Sequence, residues 1–62
     1  MNIEVINYDS GETYTEIGDA TSSQVSAYSN SNIIRFNGEE LNVVAVVTDV
    51  VNNCLEVHVS EK

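Results

Sequence analysis

A chain of 62 residues, 42% of them hydrophobic, suffices for one small domain spanning residues 1–62 and excludes a multidomain enzyme. Ten acidic residues against Arg35 and Lys62 leave a net charge of −8, which argues against direct contact with a nucleic-acid backbone, a polyanion normally met by a basic stripe. The lone cysteine, Cys54, excludes an intrachain disulfide and a multi-cysteine zinc site, and the absence of a basic leader or long apolar run points to a cytoplasmic protein without a membrane span.

Residues 3–8 and 12–17 are short apolar and aromatic runs on either side of Asp9-Ser10-Gly11. That triplet suits a type I turn closed by a glycine in the left-handed region. A loop of this length pairs Tyr8 with Glu12, Ile6 with Tyr14 and Ile3 with Ile17. Ile3, Val5 and Ile17 then share one face, and Ile6, Tyr8 and Tyr14 the other.

Residues 18–31 change character to Ser, Asn and Thr, with Val25, Ala27 and Tyr28 as the apolar contacts. Thr21-Ser22-Ser23-Gln24 has the spacing of a capping box, in which the threonine side chain takes the amide of the glutamine and the glutamine reaches back. Two readings stay open: a short helix over about 22–28 that lays Val25 and Tyr28 on the sheet, or an ordered loop, since serine-rich sequence has modest helix propensity.

The sharpest local signal is Asn37-Gly38, because a two-residue type I′ turn needs positive φ at both central positions. Pairing outward sets Phe36 against Glu39, Arg35 against Glu40, Ile34 against Leu41 and Ile33 against Asn42. Leu41, Val43, Ala45 and Val47 follow on the face of Ile34. The last strand alternates, with Leu55, Val57 and Val59 on one side and Cys54, Glu56 and His58 on the other. For the two apolar sets to share a core, the intervening loop needs an odd number of residues, which favours Val51-Asn52-Asn53 with Asn53 left-handed; a β-bulge would change that parity. Val44, Val46 and Val50 then lie beside Ile33 and His58 on a second apolar face. The 18–31 segment, the first hairpin folded over, or a second copy of the chain would cover it.

Few residues offer chemistry. No glycine-rich phosphate loop or nucleophile elbow is present, so the expectation is a protein that is not an enzyme and carries no cofactor. Cys54, Glu56 and His58 face the same way, but alternate residues on a strand stand about 6.6 Å apart at the backbone and a fourth ligand is missing, so a polar strand face explains them better than a metal site. Asp9 with Glu12, and Asp49 with Asn52, Asn53 and Glu56, lack the dense oxygen alternation and glycine of a calcium loop. Tyr8, Tyr14 and Tyr28 serve as core or as interface anchors.

The pattern Asn37-Gly38-x-x-Leu41-x-Val43-x-x-Val46, followed by Asp49-x-x-Asn52-Asn53-x-Leu55-x-Val57-x-Val59, resembles the closing segment of small uncharacterised acidic β-proteins of phages and prophages of Gram-positive bacteria. The likeness spans the last third to half of the chain and brings no functional residues with it. It implies a protein that acts by binding a host or phage protein, acidic members imitating nucleic acid.

Together these features give an all-β or β-rich α+β domain of about five antiparallel strands, two hairpins plus a C-terminal strand, as a small barrel or two-layer sheet. The function expected is a non-enzymatic protein-interaction module, a phage-encoded inhibitor presenting an acidic surface to a basic, nucleic-acid-binding host protein. A homodimer is expected, and the alternative function is a small structural or assembly protein that forms a homo-oligomer through its valine-rich face. Glu39, Glu40, Ile33, Val44, Val46, Tyr8 and Tyr14 are the candidate partner-binding residues.

Overall fold

The computed structural model describes residues 1–61. Its elements are β1 (Asn2–Asn7), β2 (Thr13–Ile17), α1 (Ser22–Asn30), β3 (Ile33–Phe36), β4 (Glu39–Asp49) and β5 (Cys54–Ser60). The strands form one five-stranded sheet in the order β2-β1-β5-β4-β3, curled into a half-barrel. The strand number and the hairpins are those expected from sequence, and the serine-rich segment takes the helical of its two readings. One neighbour pair departs from the antiparallel expectation: β1 runs parallel to β5, Ile3 beside Leu55 and Val5 beside Val57.

Asn37 and Gly38 take φ of 51° and 81°, and the four pairs of the β3–β4 hairpin are those the turn dictates. Arg35 reaches Glu40 across the strands at 2.8 Å. Both side chains are exposed, so this pair contributes no more than about 0.2–1 kcal/mol.

The first hairpin keeps the Ile3–Ile17 pair and then departs from the expected register. Ile6 lies opposite Thr13, not Tyr14, and the extra residue on β2 is a β-bulge. The bulge turns Tyr14 onto the core, where its ring packs against Phe36 at 5.7 Å. Tyr8 does not pair with Glu12. The loop is wider than three residues because Asn7 organises it: its amide donates to the Glu12 carbonyl, and its side-chain Oδ1 accepts from the amides of Asp9 and Ser10.

The β4–β5 turn also differs from expectation. Asp49 pairs with Cys54, leaving residues 50–53 as a four-residue loop, with Asn53 left-handed at φ 52°. Asp49 accounts for the longer loop, since its carboxylate accepts from the backbone and side-chain amides of Asn52 at 3.1 and 2.7 Å. These bonds hold its carboxyl below the usual range. The even loop leaves the parity wrong, and a bulge at Val44 restores it. Beyond that bulge the faces exchange: Val46 falls opposite Val57, while Ala45 and Val47 fall opposite His58 and Glu56. Ala45 and Val47 therefore leave the face of Leu41.

Ile3, Val5, Leu41, Leu55, Val57 and Val59 form the buried core. The α1 helix lies over it, joining opposite edges of the sheet by crossing this face. Val25 and Tyr28 point down onto the core, as the helical reading requires. The Thr21 capping box is present in both directions, Gln24 amide to Thr21 Oγ1 at 3.1 Å and Thr21 amide to Gln24 Oε1 at 2.9 Å. At the other end the polar side chains of Ser29, Asn30 and Ser31 donate to the carbonyls of Ser26 and Ala27, which carries the helix two residues past Tyr28. Replacing Thr21 with alanine should cost about 1 kcal/mol, read as a lower urea midpoint with unchanged slope. An unchanged midpoint would show that the cap contributes nothing to so short a helix.

The first hairpin does not fold over the sheet as a second layer. It extends the sheet sideways through the β1–β5 pairing, so no helix or strand among the described residues lies over the face opposite the helix, and only Tyr8 and Asp9 of the first turn reach its His58–Ser60 end.

Candidate functional site

Alternation along the strands decides what the uncovered face displays. On β1 it presents Asn2, Glu4 and Ile6, and on β5 it presents Cys54, Glu56, His58 and Ser60. Past its bulge, β4 adds Ala45, Val47 and Asp49, and β3 adds Ile33 and Arg35. Cross-strand register aligns three carboxylates in one row, because Glu4 pairs with Glu16 on β2 and lies beside Glu56 on β5. Val47 continues the row on β4.

Like charges directly opposite one another on a sheet repel, and in this row, among the described residues, only Glu56 has a neighbour able to carry positive charge, His58. The field of the row reaches Cys54. Burial first, then the carboxylates of Glu4, Glu56 and Glu16, push the Cys54 thiol above its ordinary range. The next row holds Ile6, His58 and Ala45. His58 Nε2 lies 3.1 Å from Glu56 Oε1, and the Tyr8 ring meets the imidazole edge-on at 6.4 Å. The result is an acidic strip beside a weakly apolar one. Glu4→Gln, which neutralises the middle member of the row, should raise stability by roughly 0.2–1 kcal/mol, more at low salt. A fall in the urea midpoint would mean that these carboxylates are held by contacts that outweigh their repulsion.

The residues singled out from sequence do not form one site. Glu39 and Glu40 stand at the tip of the β3–β4 hairpin, and Glu40 is engaged by Arg35. Ile33 is on the uncovered face and 53% exposed, whereas Val46, opposite Val57, belongs to the helix side. The second apolar face centred on Ile33, Val44 and Val46 is thus divided by the bulge. Val50, expected on the same face, is in the β4–β5 loop. Tyr8 is exposed beside His58. Tyr14 is a core residue at the rim: its hydroxyl accepts from Asn7 Nδ2 at 2.8 Å and donates to Glu61 Oε1 at 2.9 Å, and the latter bond is the main cause of its raised pKa.

The glutamate row escaped sequence reasoning in part. The Ile3–Ile17 register already implies the Glu4–Glu16 pair, but nothing local announces the parallel β1–β5 contact that brings in Glu56.

Among the described residues there is no pocket, no group of three or more His, Cys, Asp or Glu placed to hold a metal ion, and no helix long and apolar enough to cross a membrane. Comparison with family models, curated proteins and solved structures returns no match.

Proposed function

We propose that the chain is a non-enzymatic, cytoplasmic protein-interaction module that receives a basic protein on the uncovered face of its sheet. The observation that carries this reading is the Glu16–Glu4–Glu56 row. Three carboxylates stand in one row on adjacent strands, on a face over which no helix or strand among the described residues lies. Lysine or arginine side chains of a partner would relieve that repulsion, and Val47, Ala45 and Ile6 supply apolar contact beside it. Of the other acidic residues, Asp49, Glu40 and Glu61 are engaged by Asn52, Arg35 and Tyr14, and Asp9, Glu12, Asp19 and Glu39 sit in or beside turns, where they serve solubility.

The row crosses three strands, on the order of 10 Å. That suits a small cluster of basic side chains better than the imitation of a long nucleic-acid track. The phage resemblance gives such a module the role of an inhibitor that occupies a basic surface of a host protein.

Capture from lysate of the native host tests this, with wild type compared against Glu4→Lys/Glu56→Lys. A basic protein should be retained by wild type at low salt and lost both at high salt and with the double variant. Retention that ignores the two reversals would remove the row from the contact.

A further inference from the structure

The β4 strand is 11 residues long and β3 only four. β3 covers its outer edge as far as Val43, whose amide donates to the Asn32 carbonyl at 2.9 Å, and the helix then leads the chain away over the face. From 44 to 49 no strand among the described residues pairs with that edge. Strand edges are usually shortened or charged to prevent pairing. β2 is short and carries Glu16, and β3 is short and carries Arg35. The β4 edge is bulged at Val44, which limits pairing there, but beyond the bulge Ala45, Val46, Val47 and Thr48 are all uncharged, and Val46 and Val47 are 37 and 45% exposed.

We infer that this edge pairs antiparallel with the same edge of a second copy, about a two-fold axis passing between the two Val46 residues, joining two sheets into one. Past the bulge the stretch is self-complementary in that register: Val46 meets Val46, and Ala45 meets Val47. Every pair is uncharged and carries at least one β-branched residue, the chemistry cross-strand contacts favour. The centre is restricted, since directly opposed residues share a face and the axis must therefore lie between two copies of one residue. Placed at Val46, the pairing ends at the Val44 bulge, short of Val43, which β3 already occupies. The geometry also separates the charge. β5 and β1 lie one and two strands inward, so the Glu56 and Glu4 carboxylates stand about three and five strand spacings from their counterparts in the other copy, on the order of 14 and 24 Å, past the screening length in physiological salt. This pairing is independent of the basic-partner reading and has the opposite salt dependence, because two copies of net charge −8 associate better as salt rises.

Sedimentation equilibrium of the whole chain from micromolar to millimolar concentration, at low and high salt, is the test. The expected result is a reversible dimer of twice 6.8 kDa, strengthened by salt. Val46→Lys, which sets two ammonium groups against each other at the axis, should give a monomer with cooperative unfolding retained. Should that variant not fold, Val46→Cys in a Cys54→Ala background decides. A residue at the axis opposes itself, so mild oxidation should cross-link the protein, and Val51→Cys, in the exposed turn, should not. A monomer at every concentration, a dimer unaffected by the Val46 variants, or open-ended oligomers would each overturn the proposal; the first is also what a strand from a different protein would leave.

Discussion

Leu55→Ala is expected to bring the protein close to its unfolding threshold. Leu55 is 2% exposed at the start of β5, the middle strand of the sheet, with Ile3 beside it on β1 and Thr48 opposite on β4. Truncating a buried leucine typically costs about 2–5 kcal/mol, through lost transfer energy and the cavity left behind. A domain of this length has on the order of 3–9 kcal/mol in total. Since β5 touches β1, β4 and the helix, there is little slack into which neighbours can collapse. Urea unfolding followed by far-UV circular dichroism measures it: the midpoint should fall by about a third or more of its value. A loss similar to that at an exposed valine such as Val51 would place the core elsewhere.

Gly38→Val is the second large effect, and it works through the backbone alone. A Cβ built on Gly38 meets nothing within 4 Å, so no clash is involved. The residue sits at φ 81°, where a β-branched side chain is strongly disfavoured, and such strain costs about 1–3 kcal/mol. The hairpin it closes positions β3 and delivers Leu41 to the core, so the cost should appear as global destabilisation. Thermal unfolding should show a clear drop for Gly38→Val and a much smaller one for Gly38→Asn, because asparagine tolerates the left-handed region. Equal losses for the two variants would mean that the turn carries a role beyond its backbone conformation.

Both substitutions touch parts of the fold that local chemistry specifies. The Asn37-Gly38 turn and the Thr21–Gln24 cap each lie within a few residues and depend on one physical requirement, positive φ in the first case and an unsatisfied amide in the second. The alternation of Leu55, Val57 and Val59 likewise names its own face. The two bulges were not legible for the opposite reason. In the run from Val43 to Val47 an extra residue changes which valines face inward, yet every residue around the insertion is apolar and leaves no mark in the pattern. Tyr14 is equivalent, since an aromatic residue is acceptable on either face until the core around Phe36 claims it. The loop of residues 50–53 and the Val44 bulge compensate each other, so considering one without the other reaches the right core through the wrong turn. The parallel pairing of β1 with β5 joins the two ends of the chain, and no short-range signal encodes it. For that reason Glu4 and Glu16 could be paired from the sequence while Glu56, which completes the row, could not.

The acidic row can be tested as a docking surface by titrating isotope-labelled protein with a short lysine-rich peptide, following amide chemical shifts at low salt and again at high salt. The shifts should concentrate on Glu16, Glu4 and Glu56 and their neighbours Ala45 and Val47, the helix amides of Ser22–Asn30 should stay in place, and the response should fade as salt is added. Shifts centred on Glu39 and Glu40 at the hairpin tip, or spread evenly over every acidic residue, would contradict this and leave the charge with no role beyond solubility.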